Sequence, residues 1–253
     1  MKQPTVEGLA INGIPIASRM LALTSDGVKV SAPEPAFAST SIPGRNGVHD
    51  STLTDSTGSA YIADRTVTLG LWTAGTESDI RRAQAWLSGL TGTQVTVSWR
   101  TLPGEWKGRA TAGEWSEAWG PRGLTSATTT LTVDAQPLLE GAEHSATVGN
   151  GETITIWVDG NRECWPRMTL TPYGSPGSMS LAINGSAWVI STGGTITATA
   201  VADSDPDARS TLLGGMVAAP TLASDWTPLR PGRNTVTATG CTAIIAWRPR
   251  TLI

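Results

Sequence analysis

The chain has 253 residues and a mass of 26.3 kDa, which suits one large domain or two modest ones, and at 39% apolar residues it can bury a sizeable core. Its net charge of −3 argues against a nucleic-acid binder driven by bulk charge, and the lack of an 18-residue apolar run excludes a membrane-spanning helix. The start, Met1-Lys2-Gln3-Pro4-Thr5-Val6-Glu7, has no apolar stretch after its lysine, so a Sec-type secretory leader is not expected.

Threonine alternates with apolar residues over much of the chain, the pattern of half-buried antiparallel strands. Residues 66–71 are the first such run. A helix follows: Thr76 is its N-cap, Asp79 completes a capping box, and Ile80, Ala83, Leu87 and Leu90 fall on one side. Gly89 and Gly92 mark its end, and Arg81, Arg82 and Gln84 are expected on a wet outer face. Residues 94–100 and 127–133 are further strands, the second with Leu131 and Val133 on one face. A boundary falls near residues 134–141, dividing the chain into 1–137 and 138–253. These parts hold 11 basic and 12 acidic, and 7 basic and 9 acidic residues, so neither is a charged tail. Beyond the boundary, residues 153–158 place Ile154, Ile156 and Val158 on one face. Residues 180–190 predict a hairpin about Asn184-Gly185, and 194–201, 234–239 and 241–247 complete the strands. So many short strands beside one helix predict a mainly β protein built on a sandwich or barrel.

Residues that could carry chemistry are few. His49-Asp50-Ser51 holds three triad residue types, but adjacent side chains diverge and triads are assembled from separated segments. Glu105, Glu114 and Glu117 lie among Trp106, Trp115 and Trp119, as acids and aromatics do in sugar-cleaving sites; surface acids beside core tryptophans explain them equally simply. Asp203, Asp205 and Asp207 alternate like the start of a calcium loop, but Ala208 stands where the turn glycine belongs and Gly214 where the terminal glutamate belongs. No phosphate-binding or dinucleotide glycine pattern is present. Cys164 and Cys241 are either buried thiols or one bridge, and with His49 and His144 they match no compact zinc finger. No catalytic, cofactor or metal site is expected. Eleven tryptophans, against one phenylalanine and two tyrosines, spread from Trp72 to Trp247; that spread suits packing and interfaces more than one binding platform. The alternative is a lectin-like module that recognises cell-wall glycans, with Trp188 and Trp226 as the contacts.

Residues 42–50 read IPGRNGVHD, which closely resembles the N-terminal motif of siphophage distal tail proteins, the hub subunits at the tip of long non-contractile tails. Other pieces follow in matching order. Ile11-Asn12-Gly13 resembles the opening turn, residues 61–71 with Arg65 the stretch after the motif, and Trp106-Lys107-Gly108-Arg109 the aromatic-x-Gly segment. Gly160-Asn161 with Pro166 resembles the opening strand of the family's galectin-like domain. Residues 226–234 (WTPLRPGRN) resemble its late Leu-x-Pro-Gly-x-Asn turn, and 241–250 its closing strand. Pro43-Gly44 and Asn46-Gly47 supply two sharp turns with Arg45 held between them, able to fork onto a carboxylate or carbonyls.

The resemblance implies a β-rich belt domain with one α-helix (1–137), followed by a galectin-like β-sandwich (138–253). Ile42, Pro43, Gly44, Arg45, Asn46, Gly47 and Asp50 become a candidate subunit-interface motif. It further implies a non-enzymatic homo-hexamer in the virion, at the distal end of the tail, assembled in the host cytoplasm. That ring would join tail-tube protein on one face to tail-tip (baseplate) proteins and the host-adhesion apparatus on the other. DNA would be passing cargo in a central channel, with no membrane and no cofactor. The second domain leaves no room for the extra sugar-binding module of enlarged family members.

Overall fold

Over residues 66–71 Val67, Leu69 and Leu71 alternate inward while Thr66 and Thr68 face out. The computed structural model describes residues 7–55 and 58–253, which form two units, one up to residue 139 together with 253, and one of residues 140–252. In the first, β1 (Ala10–Ile11) and β2 (Ile14–Pro15) precede a 3-10 turn at Ile16–Arg19 and β3 (Leu21–Val30). Then come β4 (Ser39–Ser41), β5 (Val48–Asp50) and β6 (Arg65–Ala74). After helix α1 (Glu77–Ser88) follow β7 (Gln94–Ser98), β8 (Trp106–Ala112), β9 (Ser116–Gly120) and β10 (Gly123–Ala135). One antiparallel sheet runs β2-β1-β7-β8-β10-β6-β3, with β9 also paired to β10. Val67, Leu69 and Leu71 of β6, Leu131 and Val133 of β10, and Val95 and Val97 of β7 share a buried face. Gly108 of the Trp-x-Gly segment is a close-approach glycine: a Cβ there would collide with the Asp134 carbonyl of β10.

Helix α1 begins as its sequence predicts. The Asp79 amide donates to the Thr76 hydroxyl at 3.3 Å, and the Thr76 amide donates to the Asp79 carboxylate at 3.3 Å. Ile80, Ala83 and Leu87 are buried. Gln84 corrects the expected wet face: it is buried, because β9 folds over it, and its amide donates to Glu117 at 2.8 Å. Arg81 also donates to Glu117, whereas Arg82 stays exposed beside Asp79. Helical periodicity cannot register a strand that arrives thirty residues later.

The chain passes between units at β11 (Leu139–Glu140). The second unit comprises β12 (His144–Val148), β13 (Thr153–Val158), β14 (Arg167–Pro172), β15 (Ser178–Ile183), β16 (Ser186–Ser191) and β17 (Ala200–Asp203). It continues with β18 (Ser210–Leu213), β19 (Met216–Val217), β20 (Gly232–Thr239), β21 (Cys241–Trp247) and β22 (Arg250–Thr251). A sheet of order β12-β21-β14-β17-β18-β19 and another of order β13-β20-β15-β16 enclose one core, a β-sandwich. Met179, Leu181, Trp188, Ile190 and Val236 from one sheet meet Met168, Leu170, Ala200, Ala243 and Ile245 from the other. The hairpin turn falls at Asn184-Gly185, both at positive φ, as a two-residue turn of this kind requires. The strand expected over 194–201 is shorter than its pattern, since only Ala200–Asp203 pairs with β14. The mainly β fold class with one helix, expected from the sequence, is borne out. No helix among the described residues is long and apolar enough to cross a membrane.

Replacing Thr76 with Ala should lower stability by about 1 kcal/mol, the usual size of a lost N-cap. The Thr76 hydroxyl holds the Asp79 carboxyl below its ordinary value of 3.8. Its contribution is therefore complete above that value and lost as pH falls through the lowered folded value. Thermal melts of wild type and Asp79→Asn should differ at pH 7 and converge near pH 2.

Candidate functional site

Between β3 and β6 the chain leaves the sheet and returns as a self-paired arm. Near its root Ala63 donates to Glu34 at 2.9 Å and Ala36 to Tyr61 at 2.8 Å. Further out Ser51 donates to Ala38 at 2.9 Å, and β4 pairs with β5 from Ser39 opposite Asp50 to Ser41 opposite Val48. At the tip Arg45 donates its amide to the Ile42 carbonyl at 3.1 Å, closing a turn with Pro43 and then Gly44 at φ 81° in its centre. That is the residue order of a type II turn, and Gly47 at φ 80° ends the tip. Asp50 accepts the Thr52 amide at 2.9 Å, and its bonds with Thr52 hold its carboxyl below the usual range.

The structure thus brings Ile42, Pro43, Gly44, Arg45, Asn46, Gly47 and Asp50 together at the arm's end, all exposed. Arg45 has no ion-pair partner among the described residues. A two-stranded ribbon cannot cover both of its own faces, so apolar side chains are left in solvent: Phe37 is 76% exposed and Leu53 75%, with Val48, Tyr61 and Ile42 also open. Exposed apolar residues gathered on one projection mark an interaction surface. The arm also contains Glu34, Asp50, Asp55 and Asp64 against the single cation Arg45, a net charge equal to that of the whole chain, −3. Position in the chain gave the sequence no means of showing that these residues share one projection; the isolated proline, glycine and aspartate signals showed only turns.

The other candidates fall elsewhere. Trp188 is a core residue, 1% exposed, and its ring lies 6.0 Å from Trp226. It offers no face to a glycan. Trp226 is half-buried under the guanidinium of Arg209, 5.2 Å away. The tryptophan of this unit that does face solvent is Trp157, 69% exposed on β13 opposite Arg233. The alternation of Ile154, Ile156 and Val158 already put it on the outer face. Glu117 is tied to Gln84 and Arg81, which hold its carboxyl below the usual range; the acid of a glycosidase needs the opposite shift. Asp205 accepts Arg250 at 2.7 Å. Cys164 and Cys241 are free, buried thiols, and burial pushes Cys164 up to about 12.

The late turn of the second unit has a clear physical basis. Asn234 is fully buried. Its side-chain carbonyl accepts the Arg230 amide at 3.0 Å and the Asn184 side chain at 2.9 Å, while its NH2 donates to the carbonyls of Arg230 at 2.7 Å and Gly232 at 3.1 Å. One side chain replaces the main-chain partners that the Pro-Gly turn lacks.

Residues 159–250 match the family model of the siphovirus-type tail component, C-terminal domain. The resemblance to siphophage distal tail proteins read from the motifs is thereby borne out, and the Gly160-Asn161 and Asn234 turns that carried it lie inside the matched region. The solved structure of SPP1 Dit (gp 19.1), described as a paradigm of hub adsorption apparatus in phages infecting Gram-positive hosts, shares this chain's fold: TM-score 0.69, 19% identity, 96% of this chain and 98% of that one. Two structures of the phage p2 baseplate in its activated conformation, with Sr and with Ca, align more distantly. Their TM-scores are 0.48 and 0.42 at 11% and 12% identity, over 92% and 90% of this chain and 92% of each of theirs. No curated protein sequence matches this chain.

Asn234→Ala should cost about 2–3 kcal/mol, because the Arg230 and Asn184 groups lose their partner in a buried turn. Chemical denaturation of the second unit's tryptophan fluorescence measures it.

Proposed function

We propose that this protein is a structural hub at the distal end of a siphophage tail, assembled in the host cytoplasm as a homo-hexameric ring. The observation that carries this reading is the family match over residues 159–250. In this reading residues 1–137 are the belt that closes the ring, and residues 138–253 are the outer galectin-like domain. The ring joins tail-tube protein on one side to tail-tip (baseplate) and host-adhesion proteins on the other, and DNA passes through its centre. The net charge of −3 suits passage, since a basic wall would hold phosphates by counterion release. Catalysis has no part in it.

Identical subunits meeting head to tail need two different complementary patches. The exposed arm supports being one of them: it presents apolar side chains that its own unit leaves in water, and at its tip an unpaired Arg45 whose planar fork can grip a neighbour's carboxylate or carbonyls.

Mass photometry at micromolar concentration should show hexamers, alone or with tail-tube protein added. A strict monomer under both conditions overturns the ring. Arg45→Ala should weaken assembly about tenfold, the equivalent of roughly 1.4 kcal/mol, with an unchanged melting temperature. Normal assembly of that variant would place the seam elsewhere. A lectin-like role is favoured by one observation, the outward Trp157 beside Arg233. A glycan array tests it: micromolar binding lost on Trp157→Ala supports a lectin, and no binding removes it.

A further inference from the structure

Arg65 is 4% exposed and makes no ion pair among the described residues. A buried cation is costly unless hydrogen bonds and an aromatic face replace its water. Here they do. Nε donates to the Ser31 carbonyl at 2.9 Å, one terminal nitrogen donates to that same oxygen, and the other donates to the Ile253 carbonyl at 2.7 Å. The guanidinium carbon lies 5.0 Å from the ring of Trp106, itself fully buried. Ser31 is where the arm leaves the sheet, and Arg65 is where it returns. The two strands are joined there again by the Ser31 amide donating to Thr66 at 2.9 Å and the Thr66 amide donating to the Ser31 hydroxyl at 3.0 Å.

We infer that Arg65 is a positioning residue for the arm: its guanidinium clamps both roots of the arm to one another and to residue 253, and so fixes the direction in which the arm projects. An apolar residue could fill the space over Trp106, but it would not tie the Ser31 and Ile253 oxygens to one another. A lysine carries the charge but lacks the planar fork that serves two carbonyls at once. Its bearing on assembly rests on the ring proposed above, whereas its hold on the arm does not.

The test is hydrogen–deuterium exchange on the full chain with Arg65→Met, which keeps a long apolar stem over Trp106 and removes the fork. Loss of charge-assisted bonds at the root should raise amide exchange at residues 31–38 and 58–64 by at least about tenfold, while β10 and the second unit exchange as in wild type. Assembly measured in parallel should weaken by a similar factor. Unchanged exchange in the arm overturns the clamp. So does equal loosening of arm and sheet, since Arg65 would then be a general packing residue. If Arg65→Met fails to fold, the same two regions read in Arg65→Lys decide between these outcomes. A loosened arm with unchanged assembly upholds the clamp and counts against the arm as the ring seam.

Discussion

Between β6 and β10 the chain pairs without interruption from Arg65 opposite Ala135 to Ala74 opposite Ser126. Strand side chains alternate, so this register alone decides which residues of both strands reach the core. It sends Val67, Leu69 and Leu71 inward beside Leu131 and Val133, and turns Thr66, Thr68, Thr130 and Thr132 outward. A slip of one residue would bury threonine hydroxyls and expose the aliphatic row. The same pairing fixes both of its ends. At one end Arg65 falls beneath the arm's root; at the other Ala74 leads into Thr76 and the capped helix. The arm and the helix are therefore positioned by one ladder.

Features governed by local chemistry were legible in the sequence. The capping box at Thr76 and Asp79, the Asn184-Gly185 turn and the alternating strands depend on residues a few positions apart. Features governed by what arrives later in the chain were not. Gln84 sits at an outward helical position but is covered by β9, and the pattern over 194–201 is strand-like although only its last residues find a partner. Tryptophan shows the same limit. Trp157 and Trp188 are equally apolar in composition, and only their parity within β13 and β16 makes one exposed and the other core. At the candidate site the turn residues of 42–47 could be read directly. The arm's isolation from the sheet could not, because it follows from partners those strands do not have.

The two ends of the arm solve opposite problems. At the root a cation is stripped of water and held by carbonyls and an indole. At the tip another arginine is exposed, with no ion-pair partner among the described residues. The first is held by three hydrogen bonds and an indole face; the second is available because its water can be exchanged for a partner at little cost. Sequence gives these residues the same letter, and twenty positions along the chain separate them.

Burial of the two thiols has a chemical corollary. Sulfur reacts with oxidants and disulfides as the thiolate. Cys164 holds its proton up to about pH 12, and Cys241 is shifted in the same direction inside the sandwich. Burial thus favours the protonated thiol at both positions and makes each sulfur a poorer nucleophile than an exposed cysteine would be.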